Sequence, residues 1–176
     1  MSELTPTITK AVETATAKLL DHFKERYGAV IFIPLGVNSS TPAKIAPNIA
    51  QSIENSLLSL EGNKATLSVT EDKVGAVFNA FMDDFFNSLS FIGKTAMKAT
   101  GMKMSWNDFV TQLADRKANN PEGYNTWKSN WVMVLHTLFD EVIAALQSNG
   151  KEVFISNGEK FFTNSEEAVS AMKIFN

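Results

Sequence analysis

The sequence predicts an α+β fold: a single domain over residues 1–176, mostly helical with about six helices, and a small sheet that includes a C-terminal β-hairpin. Three observations predict it. Apolar residues recur every three or four positions through most of the chain, the signature of helices buried on one face. The segment KEVFISNGEKFFT sets Asn157-Gly158 between two apolar runs, a strong hairpin signal. No internal repeat, low-complexity tract or long linker divides the chain.

Each element follows from local pattern. Ile8, Val12, Ala15, Leu19, Phe23 and Tyr27 line one helical stripe that Thr5-Pro6 opens and Gly28 stops. AVIFIPLG, residues 29–36, is β-branched and aromatic without alternation and reads as a strand buried on both faces. After the loop VNSSTPAK, the residues Ile45, Ile49, Ile53, Leu57 and Leu60 predict a second helix that ends at Gly62, with Pro47 in its first turn. KATLSV alternates as a half-exposed strand. Thr70 then caps a third helix over about residues 71–92, with Glu71 and Asp72 beside its positive end.

That third helix carries Val74, Val77, Phe78, Phe81, Met82, Phe85, Phe86, Leu89 and Ile92 over roughly half its circumference. Ser105 and Asp108 predict a capping box that opens a shorter helix, and Asn119-Asn120-Pro121 breaks the chain after it. The long helix that follows places Trp127, Trp131, Leu135, Leu138, Val142 and Leu146 at the centre of its apolar face, widened by Val132, Phe139 and Ile143. A last helix starts at Asn164 or Ser165, after the hairpin. The small sheet is expected to pack against the two Phe/Trp-rich helices.

Composition narrows the function classes. A net charge of −3 lacks the basic balance of a dedicated nucleic-acid binder, so nucleic acid is not expected as the primary partner. The chain contains no Cys, which removes disulfides, thiolate nucleophiles and Cys-based metal sites. The opening segment has no basic leader followed by an apolar core, and no run approaches the length of a membrane span. A cytoplasmic setting, including a host cytoplasm or a virus particle, is therefore the expectation, with no membrane partner.

The triplet Gly93-Lys94-Thr95 raises the question of a phosphate-binding loop. That motif needs a Gly five positions before Gly93, where this chain has Ser88, and a strand leading into the loop, where this chain has the Phe-rich helix. Both conditions fail. The stretch is unusual in another way: Lys94, Met97, Lys98, Met102, Lys103 and Met104 crowd together, and no acidic residue occurs from Phe85 through Asn107. Methionine-rich surfaces adapt to partners, so these six residues are candidate partner-binding positions, with core gap-filling as the competing reading.

Gly36, Asn38, Ser39, Ser40 and Thr41 lie between an expected strand and a helix start, where anions and small ligands often bind. The same residue types are ordinary turn formers and caps. His136 and Asp140 stand one helical turn apart, and Asp83-Asp84 could add oxygen ligands. Asp140 and Asp83 fall opposite the centres of their apolar faces and His136 at the edge of its own, whereas a bundle-core metal site needs ligands pointing inward, so no metal and no cofactor is expected. With two histidines and no Gly-x-Ser-x-Gly elbow, acyl transfer has no support. The expectation is a non-catalytic structural or protein-interaction component of an oligomeric assembly, such as a virus or phage particle or its assembly factor. The alternative is a small-molecule or anion-binding domain using residues 36–41.

Overall fold

A computed structural model describes residues 3–176; Met1 and Ser2, the first residues of the opening segment, lie outside it. The architecture is α+β, seven α-helices and a four-stranded sheet among the described residues, built around one contiguous apolar core. Helix α1 (Thr5–Tyr27) is followed by a 3₁₀ turn (Ala29–Phe32), α2 (Thr41–Ser56), β1 (Leu58–Glu61), β2 (Lys64–Ser68) and α3 (Glu71–Ser88). Next come α4 (Phe91–Ala99), α5 (Trp106–Asn119), α6 (Pro121–Ser148), β3 (Glu152–Ser156), β4 (Phe161–Phe162), α7 (Ser165–Ser170) and a final 3₁₀ turn (Lys173–Phe175).

Helices α1, α2, α3, α5 and α6 close into a ring, each touching the next. Polar ties give their directions. Thr5 Oγ1 donates to Glu54 Oε2 at 2.8 Å, which sets the start of α1 beside the end of α2. Arg26 Nη1 donates to Asn130 Oδ1 at 2.9 Å, while Lys18 pairs with Glu141, so α1 and α6 run antiparallel. Asn48 Nδ2 donates to Asp84 Oδ1 at 3.1 Å and ties α2 to α3.

The sheet caps one end of this ring, in the order β1-β2-β3-β4. The outer pairs are antiparallel and the central pair β2–β3 is parallel, with Ala65 opposite Val153 and Leu67 opposite Ile155. Ala65, Leu67 and Ile155 turn into the core. The expected hairpin is present: Asn157 Oδ1 accepts from the amides of Glu159 and Lys160 at 3.0 and 2.9 Å and shapes the connection between β3 and β4. The sheet packs chiefly on α2, α6 and α7 rather than on both Phe/Trp-rich helices.

Four further expectations need correction. Residues 29–36 are not a buried strand but a 3₁₀ turn followed by further turns, with Val30 and Ile33 more than 70% exposed. This segment lies at the end of the ring opposite the sheet, where no strand edge offers a ladder, and its β-propensity has nothing to pair with. The second helix ends at Ser56, not Gly62. Leu58–Glu61 instead forms β1, and the two-residue turn Gly62-Asn63, with Gly62 at φ 61°, joins it to β2.

Pro47 lies inside α2, not in its first turn. It leaves the Ala43 carbonyl without its helical donor, at a position where both residues are exposed to solvent. The third helix does not run to residue 92. It stops at Ser88, Leu89 and Ser90 are extended, and Ser90 caps a new helix by accepting from the Gly93 amide at 3.0 Å.

The capping box of Ser105 and Asp108 is present at the start of α5 and sets Trp106 flat on α3. A Cβ on Gly75 would lie 2.6 Å from that indole. Trp106 N donates to Asn79 Oδ1 at 2.8 Å, and its ring joins Phe78, Phe109 and Trp131 in an aromatic cluster with centroids 4.8–5.4 Å apart. Gly75→Ala is therefore expected to lower the unfolding midpoint in calorimetry. The overpacking cost is about 1–3 kcal/mol, against about 1 kcal/mol gained from helix propensity. A rise in the midpoint would show that the indole is not held against α3.

Candidate interaction surface

The end of the ring opposite the sheet carries the most unusual surface of the molecule. Val30 is 77% exposed, Ile33 75%, Phe91 84% and Ile92 63%, with Ile31 and Tyr27 about half exposed. Single exposed apolar side chains are ordinary, but these belong to two segments that the fold binds together. Ser90 is the rivet. Its amide donates to Leu35 O at 2.9 Å and its hydroxyl donates to Pro34 O at 2.7 Å while accepting from Gly93 N.

Two glycines allow the backbones to meet. A Cβ on Gly93 would stand 2.6 Å from Leu35 O, and a Cβ on Gly36 would stand 2.8 Å from Ser90 N. Gly36 also holds φ 79°, a conformation few other residues adopt without strain. The Gly-Lys-Thr triplet thus has a packing reason: Gly93 is where the chain from α1 crosses the start of α4.

The charge around this surface is one-sided. From Tyr27 to Ile53 and from Phe85 to Asn107 the chain has no carboxylate and four lysines, Lys44, Lys94, Lys98 and Lys103. Lys94 lies one turn beyond Phe91 on α4 and Lys98 a further turn on, both on the same helix face. Lys98 Nζ and Lys103 Nζ lie 5.4 and 5.3 Å from the Phe86 ring centroid, and Lys103 also pairs with Asp83 Oδ1 at 2.6 Å.

The six candidate partner-binding positions divide. Met97 and Met104 are core residues, buried beneath α4 and α5, and act as gap fillers. Met102 is exposed, Lys98 is exposed, and Lys94 and Lys103 are half-buried. The surface that the pattern missed is Val30, Ile31 and Ile33, read as a buried strand, and Phe91 and Ile92, read as part of one long helix. Two local signals mark it: Pro34 and Gly36 close the apolar run after Ile33, and Ser90 is a capping residue placed before Phe91.

The loop 36–41 is occupied with itself. Asn38 N donates to Thr41 Oγ1 at 3.1 Å, and Asn38 Oδ1 accepts from Ser40 N at 2.9 Å and from Ser40 Oγ at 2.5 Å. Asn38 Nδ2 donates to Gly36 O at 3.4 Å, Thr41 is buried, and Ser39 is exposed. These groups form the turn that leads into α2.

His136 Nδ1 lies 3.5 Å from Asp140 Oδ2, and Asp140 Oδ1 accepts from the buried Ser165 hydroxyl, which fastens α7 to α6. The carboxylate stands between the imidazole and the hydroxyl, so the histidine is not positioned to take the serine proton. Among the described residues no group of three His, Asp or Glu side chains could hold a metal ion, and no helix is long and apolar enough to cross a membrane. Two clefts flank α2. One of about 310 Å³ is lined by Asn48, Gln51, Asn55, Asp83 and Asp84, and one of about 820 Å³ lies between α1, α2 and β1. The Asp72 carboxyl is held below the usual carboxylate range by the Thr70 hydroxyl, at the sheet end and remote from the apolar surface.

No protein family, curated protein or solved structure matches this chain.

Ser90→Ala is expected to lose about 1 kcal/mol of stability through the lost cap. Gly93→Ala should lose about 1–3 kcal/mol, because the Leu35 carbonyl must move. Urea unfolding measures both, and limited proteolysis should reveal faster cutting within residues 29–36. Variants as stable and as resistant as the parent protein would refute the riveted junction.

Proposed function

We propose that the protein is a non-catalytic interaction component of an oligomeric assembly and that it associates through the apolar surface of Val30, Ile33, Phe91 and Ile92. The observation that carries this reading is the coexistence of these four exposed side chains on two segments that Ser90, Gly36 and Gly93 hold together. A surface made of two immobilised segments loses little freedom on binding.

Magnitudes support a reversible contact. Burying one such side chain fully contributes about 1.5–3 kcal/mol. Four together are on the order of the 4–15 kcal/mol that association costs in lost motion. Self-association that depends on concentration follows, rather than a permanent dimer. The composition, free of Cys and rich in Asn, Ser and Thr, supports placing that assembly in a virus or phage particle.

Sedimentation velocity across a wide concentration range tests the proposal. The parent protein should form a defined multimer, and Phe91→Asp should weaken association by roughly tenfold or more. Its unfolding midpoint should stay close to that of the parent, as for most surface substitutions. A strict monomer at all concentrations, or a multimer indifferent to Phe91→Asp, would overturn it.

A further inference from the structure

We infer that the occupant of the apolar surface is the sheet end of a second copy of this chain, so that the protein assembles head to tail. The inference rests on the interaction role proposed above and names its partner. Three observations carry it: the charge at one end, the opposite charge at the other, and the distance between them.

The first end is cationic. Lys94 and Lys98 follow Phe91 along α4, and no carboxylate lies in either segment that builds the apolar surface. Two copies meeting through this same surface would bring four lysines together around a shrinking, drying contact. Like charges so placed disfavour the symmetric arrangement and select against it.

The second end is anionic and also presents an aromatic side chain. Phe161, on edge strand β4, is 68% exposed and rests its ring against Phe154 at a centroid distance of 6.1 Å. Residues 151–167 hold four carboxylates, Glu152, Glu159, Glu166 and Glu167, and two lysines, Lys151 and Lys160. Glu159 and Glu166 are exposed on either side of Phe161 in the chain; Lys160 stands over the Phe162 ring at 4.9 Å. This end offers an apolar side chain within a net negative rim, the complement of a cationic rim around Phe91.

The ends cannot meet within one molecule. Helix α1 alone runs from the sheet to the apolar surface, and its 23 residues span about 34 Å. A contact between unlike ends of two copies leaves each copy with one free end of each kind. Such a contact repeats, and it closes into a ring or grows as a filament. Burial of Phe91 and its neighbours supplies the adhesion, and the charges set the orientation, since exposed ion pairs add little affinity of their own.

Charge exchange between two variants tests this. The full-length variants Lys94→Glu/Lys98→Glu and Glu159→Lys/Glu166→Lys each carry two ends of one sign, so each alone should associate roughly tenfold or more weakly than the parent. An equimolar mixture pairs every reversed end with an opposite one and should recover the parental multimer in sedimentation velocity. Recovery in the mixture also establishes that both variants are folded.

If Glu159→Lys/Glu166→Lys associates like the parent while Phe91→Asp does not, the apolar surface keeps its role and the head-to-tail arrangement is wrong. Failure of the mixture to recover, with both variants unfolding at the parental midpoint, overturns it as well. So does binding of phosphatidylserine vesicles that depends on Phe91 and competes with self-association, which would make a lipid surface the occupant. A parent protein that never associates removes the interaction role itself.

Discussion

The carbonyl of Leu35 lies where a side chain on residue 93 would have to stand, and much of the far end of the molecule depends on that single closeness. Because Gly93 has no Cβ, the chain leaving α1 can lie across the first turn of α4. Because the Ser90 amide and hydroxyl donate to Leu35 O and Pro34 O while the hydroxyl accepts from Gly93 N, Ser90 fixes the crossing and starts the helix in the same act. The segment that carries Val30, Ile31 and Ile33 is thereby tied to the start of α4, which carries Phe91 and Ile92. Without that junction Val30, Ile31 and Ile33 would belong to a connection not anchored to α4, and a loose apolar connection orders only at a cost in entropy.

The remainder of the fold works in the opposite direction, by enclosing its apolar groups. Five helices form a closed ring, and the aromatic cluster of Phe78, Trp106, Phe109 and Trp131 fills the space between α3, α5 and α6. Methionines 97 and 104 complete this packing where α4 turns back into α5. The contrast is informative. A chain able to bury Met97 leaves Phe91 and Ile92 in water within two turns of it on the same helix. Such side chains are well explained by a contact outside the chain.

Much of the architecture was legible in the sequence, and the exceptions have physical reasons. The stripe from Ile8 to Leu19, the capping box at Ser105 and Asp108, and the Asn157-Gly158 hairpin are local signals, and each is found where its pattern lies. The turn Gly62-Asn63 was also local, but Leu57 and Leu60 continued the helical spacing of Ile45, Ile49 and Ile53 and masked it. Residues 29–36 failed for a different reason. Whether a β-branched run becomes a strand depends on an available neighbour, and the sheet lies at the other end of the molecule. The candidate surface was half legible: the absence of acid from Phe85 through Asn107 marked the region, but periodicity could not tell which of Phe91, Ile92, Met97 and Met104 face water. That division follows from the break at Leu89-Ser90, which rotates α4 out of line with α3.

The most direct test of the account is hydrogen–deuterium exchange of the parent protein at low and high concentration. Burial of the riveted surface in an assembly predicts that amides in residues 29–35 and 91–94 gain protection as concentration rises, while those of α2 and the middle of α6 do not change. Exchange in both segments that is identical at every concentration would contradict the claim that this surface is made to be covered.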